Sequence, residues 1–236
     1  MIQKMLQQLF TWLTPHTCIL CHYPTHQTQD ICQPCFNELP ILPQSCLRCA
    51  TILTFPSAPC GICLKKPPIA DRTYALFIYQ TPITKLIMEL KFHENLVNAR
   101  LLGELMAAAI QQWYRNHPLP DLLIPVPLHP QRLKERGFNQ ALEISRPIAK
   151  TLKIKLDIHH CLRIKNTAAQ AQQQAEHRPQ NLRNAFQITT DYTGLTIAIL
   201  DDVTTTGSTL NSFAKALKKA GASQIHVWCV AKSIMQ

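Results

Sequence analysis

The sequence predicts an α/β domain with a mostly parallel central sheet, preceded by a small Cys-rich zinc-ribbon domain. Three observations carry this. From residue 73 onward, apolar strand-like runs alternate with helical patterns. Eight of the ten cysteines fall into four C-x-x-C pairs before residue 64. The stretch ILDDVTTTGST at 199–209 sets two acids and a hydroxyl-rich turn straight after an apolar run. Open parallel sheets bind ligands at that position, the carboxyl end of a strand.

Residues 1–13 place Ile2, Met5, Leu6, Leu9, Phe10 and Leu13 on one helical stripe, broken by glutamines. The pattern is an amphipathic helix that packs on the protein itself or on a partner or membrane surface. It lacks the basic start and compact apolar run of a secretion signal. No segment approaches the roughly 18 apolar residues of a membrane span. The protein is expected to be cytoplasmic.

Cys18/Cys21, Cys32/Cys35, Cys46/Cys49 and Cys60/Cys63 repeat every 14 residues. Paired knuckles of this kind offer four thiolates to one tetrahedral zinc, so two structural Zn2+ sites are expected. Sequential pairing gives two compact ribbons; interleaved pairing fits the spacing as well. His16, His22 and His26 are expected bystanders, and Cys161 and Cys229 inert buried thiols. The expected organisation is a helix and double ribbon over 1–63, a connector over 64–70 marked by Pro67 and Pro68, and the α/β domain over 71–236.

Within that domain, 73–79 reads as a strand, followed by helices over 82–91 and 95–115. A short buried strand over 121–126 is closed by prolines. A helix over 139–152 and a strand over 159–164 follow. Residues 165–184 are polar and read as a loop running into a short helix. A strand at 195–202, a helix at 208–220 stopped by Gly221, and a strand at 224–231 complete the pattern.

Net charge is +10, which suits polyanionic partners. Lys4 and Arg48 balance Asp30 and Glu38 over 1–63, so the whole excess lies beyond the cysteines. Loading two four-thiolate zinc sites adds about −4 more to the ribbons. A basic surface therefore belongs to the second domain.

Seven of the eleven residues in ILDDVTTTGST carry a side-chain oxygen. Thr204, Thr205, Thr206, Gly207, Ser208 and Thr209 can turn backbone N–H groups and hydroxyls on a phosphate at a helix N-terminus. Asp201 and Asp202 do not belong against a phosphate, but ionised carboxylates accept hydrogen bonds from a ribose diol. A sugar phosphate satisfies both halves. A nucleotide P-loop would need a Gly-Lys-Ser/Thr that is absent, and no G-x-G dinucleotide fingerprint occurs.

The stretch resembles the phosphoribosyl pyrophosphate (PRPP) motif of type I phosphoribosyltransferases. The rest of the chain resembles, more narrowly, the ComF competence-protein family and its amidophosphoribosyltransferase-like members. That resemblance rests on the four knuckles, Leu90-Lys91-Phe92, Val126-Pro127-Leu128, Arg132, Arg136-Gly137-Phe138-Asn139-Gln140 and Arg183-Asn184-Ala185-Phe186. It implies a type I phosphoribosyltransferase fold that binds PRPP with Mg2+, with Asp201 and Asp202 as catalytic acids. It places the pyrophosphate loop after 125–127, with Lys91, Arg132 and Arg136 supplying positive charge; a solvated basic face is the competing reading of those cations. It also implies a flexible hood over 165–181, with Thr167, Gln170, Arg178 and Asn181 at family positions; an ordinary polar surface connection is the competing reading.

Two functions follow as expectations. One is PRPP binding, with or without transfer to an acceptor, as in nucleotide or salvage metabolism. The other is competence, meaning DNA uptake and natural transformation, with single-stranded DNA and partners such as a helicase or processing factor. Aromatic residues are only 7% of the chain, so no extended base-stacking platform is evident. The first cysteine is Cys18, so an N-terminal glutaminase nucleophile is not expected.

Overall fold

In the computed structural model, residues 16–25, 27, 29–53, 59–166 and 184–234 are described. The helix expected over 1–13, His26, and the hood positions Thr167, Gln170, Arg178 and Asn181 lie outside them.

Residues Arg72–Ile78 alternate half-buried and buried side chains, and they form β3, the edge strand of the main sheet. The small elements before it are β1 (His16–Thr17), β2 (Pro24–Thr25), α1 (Gln33–Asn37) and α2 (Gly61–Lys65). After it come α3 (Ile83–His93), α4 (Leu96–Trp113), β4 (Leu122–Pro125), α5 (Pro130–Arg136), α6 (Gln140–Leu152) and β5 (Lys155–Leu156). β6 (Cys161–Arg163), β7 (Phe186–Ile188), β8 (Thr196–Thr204), α7 (Ser208–Lys219) and β9 (Gln224–Lys232) complete the order.

Among the described residues the main sheet has five strands in the order β3-β9-β8-β4-β5, every pair parallel. β8 and β9 are central, buried on both faces, and read as near-continuous apolar runs for that reason. One apolar cluster gathers side chains of α3, α4 and α6 with Ala198, Leu200, Trp228 and Val230. A second gathers Phe213, Ala214 and Leu217 of α7 and Phe186 of β7 with Ile197, Ile199, Val227 and Cys229. The result is a three-layer α/β domain.

The strand expected to stop at Asp202 continues to Thr204, because Val203 and Thr204 pair with Ala231 and Lys232. Three elements of the α/β domain escaped the sequence reading: the seven-residue α5, the two-residue β5, and β7, which pairs antiparallel with β6. Each is too short to show a period.

The ribbons are built into this architecture. The segment between them and the start of the second ribbon lie against the free edge of β3: Ile78 N donates to Pro40 O (2.8 Å), Leu42 N to Leu76 O (2.8 Å) and Thr73 N to Leu47 O (2.7 Å). An unpaired edge is thereby covered. Cys18, Ile31 and Leu39 join the first apolar cluster, while Leu42 and Ala50 join the second. Arg100 of α4 pairs with the largely buried Asp30.

Candidate functional site

Zinc ligation settles first. Cys18, Cys21, Cys32 and Cys35 bring their Sγ atoms within 4.8 Å of one another, and so do Cys46, Cys49, Cys60 and Cys63. Pairing is therefore sequential. Four thiolates at Zn–S distances of about 2.3 Å sit about 3.8 Å apart on a tetrahedron. The Cys21–Cys32 and Cys49–Cys60 separations of 3.6 and 3.5 Å agree with that. Burial opposes ionisation of Cys18, yet backbone N–H groups of Cys21, Cys32 and Leu20 aimed at its sulfur outweigh it and bring the thiol to about 6. Cys46 is brought to about 7 in the same way, by N–H groups of Cys60, Arg48 and Cys49. Such donors stabilise thiolate ligands. Cys161 and Cys229 are buried, and burial pushes both thiols up, Cys161 to about 12.

The second constellation lies at the carboxyl ends of β4 and β8. Asp202 is buried and Asp201 partly exposed. Lys91, near the end of α3, forms an ion pair with Asp202. Gln140, the first residue of α6, accepts from Arg136 Nη1 and hydrogen-bonds Asp202, linking the basic segment to the acids. The low-dielectric surroundings, with the Asp202 charge beside it, push Asp201 well above the usual carboxylate range. Burial would raise Asp202 too, but the Lys91 ammonium and hydrogen bonds from Lys91, Asp201 and Gln140 hold it below that range. Crowding of the two carboxylates thus opposes ionisation of Asp201, while Lys91 favours that of Asp202.

Other cations converge here. Arg136 feels the Asp202 charge, and its guanidinium lies 6.0 Å from the Phe92 ring centroid. Arg163 of β6 feels Asp201 and Arg132. Burial lowers both Arg136 and Arg163. Arg163 was not anticipated, because a lone arginine on a three-residue strand has no sequence signature. Asn139 caps α6 through Ala141 N (3.0 Å) and ties it to the β4 loop by donating to Val126 O (3.0 Å). Phe138, which suggested function in the sequence, packs against the first apolar cluster, a structural use in its own right.

The turn after β8 is narrower than its sequence suggests. Thr204 lies in the strand with its side chain buried beneath Gly207. Thr205 and Thr206 are exposed, and Thr206 Oγ1 lies 2.8 Å from Ser208 Oγ. Gly207 sits at φ 73°, in the left-handed region that glycine enters without strain, and immediately precedes α7. Lys232, unanticipated, donates from its ammonium to Thr205 O and braces the turn. The turn and the acids therefore meet as two adjoining surfaces, one rich in hydroxyls and one acidic, with cations on the α3 and α5 side.

Fold and sites together define a protein class: a double zinc ribbon joined to a phosphoribosyltransferase domain. Family models agree, matching "Double zinc ribbon domain" over residues 9–71 and "Phosphoribosyl transferase domain" over 139–234. Similar chains include DNA utilization protein YhgH of Salmonella typhi, 34% identical over 93% of this chain and 98% of that one. Competence protein F of Haemophilus influenzae is also 34% identical, over 92% of this chain and 96% of that one. The chain belongs to the family of these competence and DNA-utilization proteins. A purine phosphoribosyltransferase from Pyrococcus horikoshii aligns over 56% of this chain and 81% of its own, at 17% identity and a TM-score of 0.34. No helix among the described residues is long and apolar enough to cross a membrane.

Proposed function

We propose that the protein binds PRPP with Mg2+ and acts in competence, in DNA uptake and natural transformation, where it handles single-stranded DNA beside helicase or processing partners. The observation that carries this reading is the meeting of Asp201 and Asp202 with Lys91, Arg136 and Arg163 next to an exposed hydroxyl turn at the start of α7. In it, Thr205, Thr206, Gly207, Ser208 and Thr209 hold the 5′-phosphate, with Thr204 supporting the turn from beneath. Asp201 and Asp202 accept hydrogen bonds from the ribose hydroxyls, and Lys91, Arg132, Arg136 and Arg163 face the pyrophosphate. Bound Mg2+ would compensate pyrophosphate charge. Because Lys91 neutralises Asp202, ligand entry frees that carboxylate as Lys91 turns to the pyrophosphate.

Calorimetry with Mg-PRPP tests the site: the native chain binds and Asp202→Ala binds at least about tenfold more weakly, the loss of one charge-assisted contact. Absence of binding by the native chain refutes the reading. DNA handling has its own test. Phosphate contacts to single strands give a log–log salt slope of about −0.7 per contact, so a flat response excludes the basic surface. Complementing a deletion strain with the Asp201→Ala/Asp202→Ala double variant links the two, because failure to restore transformation ties the ligand to the phenotype.

The second reading is an active phosphoribosyltransferase of nucleotide or salvage metabolism. The intact pair of acids favours it, and release of pyrophosphate with a candidate base acceptor tests it.

A further inference from the structure

The end of β9 holds the turn that follows β8. Register pairs Val203 with Ala231 and Thr204 with Lys232. Beyond that register, Ser233 N donates to Thr204 O (2.9 Å), and the Lys232 ammonium donates to Thr205 O. Two successive carbonyls of the turn are thereby anchored to one strand end. On the PRPP reading above, we propose that Lys232 is a positioning residue for the 5′-phosphate. It fixes the Thr205–Thr206 peptide in the orientation that offers the phosphate an N–H group rather than a carbonyl.

In a trans peptide, the carbonyl and the next residue's N–H point in opposite directions. The Thr204–Thr205 and Thr205–Thr206 bonds are both trans. With Thr204 O turned to Ser233, Thr205 N–H points away from β9. On that side the β4 register ends with Pro125 opposite Leu200, so β8 runs on without a partner strand there among the described residues. With Thr205 O held by the ammonium, Thr206 N–H points away from Lys232. The N–H groups of Thr205, Thr206 and Gly207 have no partner among the described residues. Thr205 and Thr206 are exposed, so a ligand can reach them. Successive free N–H groups of this kind make an anion cradle. Rotating the Thr205–Thr206 peptide would instead aim a carbonyl dipole at the phosphate and repel it.

Charge gives Lys232 a second effect. Lys91 is paired with Asp202, whereas no carboxylate pairs with Lys232 among the described residues. Its ammonium therefore stays uncompensated beneath the turn that receives a dianion. A cation on a carbonyl oxygen also polarises that peptide, making the N–H on its far side a stronger donor.

The test is calorimetry on the full zinc-loaded chain with Mg-PRPP, ribose 5-phosphate and Mg-pyrophosphate as probes. Lys232→Met is expected to weaken the two 5′-phosphate ligands by about tenfold, the worth of one amide–phosphate hydrogen bond, and Mg-pyrophosphate by less than about twofold. Lys232→Arg, which keeps charge and donor, restores most of the affinity. A merely structural role would move all three probes together, or none. If zinc content and thermal midpoint show that Lys232→Met fails to fold, the 15N-labelled native chain decides. Its Thr206 amide signal is expected to shift downfield to saturation with ribose 5-phosphate. Equal affinities of the native chain and Lys232→Met, uniform weakening of all three probes, no restoration by Lys232→Arg, or an unmoved Thr206 amide overturns the proposal while PRPP binding by the native chain stands. Absence of Mg-PRPP binding by the native chain refutes the underlying reading, and this proposal with it.

Discussion

Lys91 and Asp202 show how one ion pair sets the character of the site. Asp202 is buried and its carboxyl is held low by Lys91. Replacing Lys91 by Met strands a buried carboxylate, which is expected to cost about 3 kcal/mol near neutral pH, measured by denaturant unfolding. A carboxyl with a lowered folded value contributes stability above its unfolded value and loses it as pH falls. The gap between the native chain and Lys91→Met should therefore close in acid. His226 follows the same sign for a different reason. Its folded value of about 4 lies below the ordinary 6.5, so the stability from keeping it neutral is full above 6.5 and drains away as pH falls towards 4. The loss is at most about 3 kcal/mol, and His226→Asn, which keeps a polar partner for Tyr114, should flatten that part of the stability–pH curve. At this scale the sequence showed Asp201, Asp202, Lys91 and Arg136 because each stands in a motif with a chemical reason. It hid Arg163, Gln140 as a bridge, and Lys232, whose roles arise only when distant strands meet.

Between helices, close approach decides which substitutions the fold tolerates. Gly103 of α4 faces α6, and a Cβ there would lie 2.3 Å from Pro147 Cγ and 2.6 Å from Ile144 O. Alanine is the better helix former by about 1 kcal/mol, yet the second clash is with backbone that cannot rotate away. Gly103→Ala should therefore force α4 and α6 apart and destabilise the chain by a net 1–3 kcal/mol or more, of the order found for overpacked cores. A midpoint at or above that of the native chain in urea unfolding would show that the helices separate freely. The same element scale explains what was legible. α3, α4, α6, α7, β8 and β9 are long and periodic, so their apolar patterns reported them. β5 and β7 span two or three residues, and α5 fewer than two turns, so their existence depends on partners the local pattern does not contain. Thr204 was misplaced into the turn because β9, not the local sequence, decides where β8 ends.

Across the whole molecule, the ribbons look modular in sequence but share both apolar clusters with the sheet and its helices. Boundaries at 63 and 71 remain our proposed division of the chain; energetically, the pieces are expected to act together. Ile31 and Leu39 from the first ribbon lie in the cluster that holds Leu86, Ile87 and Leu90, the face of α3 immediately before Lys91. Zinc binding contributes directly to the folding of ribbons this small. Losing it from the first site should loosen Ile31 and Leu39 and, through α3, the position of Lys91 beside Asp202. Cys35→Ser is expected to lower the bound zinc from two equivalents per chain to one, reduce the thermal midpoint of a single cooperative transition, and weaken Mg-PRPP binding. Cys60→Ser, in the ribbon that packs on the other face with α7, should lose one zinc as well but affect Mg-PRPP less. Two independent unfolding transitions, or Cys35→Ser with unaltered ligand affinity, would show that the ribbon is a tethered module and that the shared cluster does not transmit zinc binding to the acids.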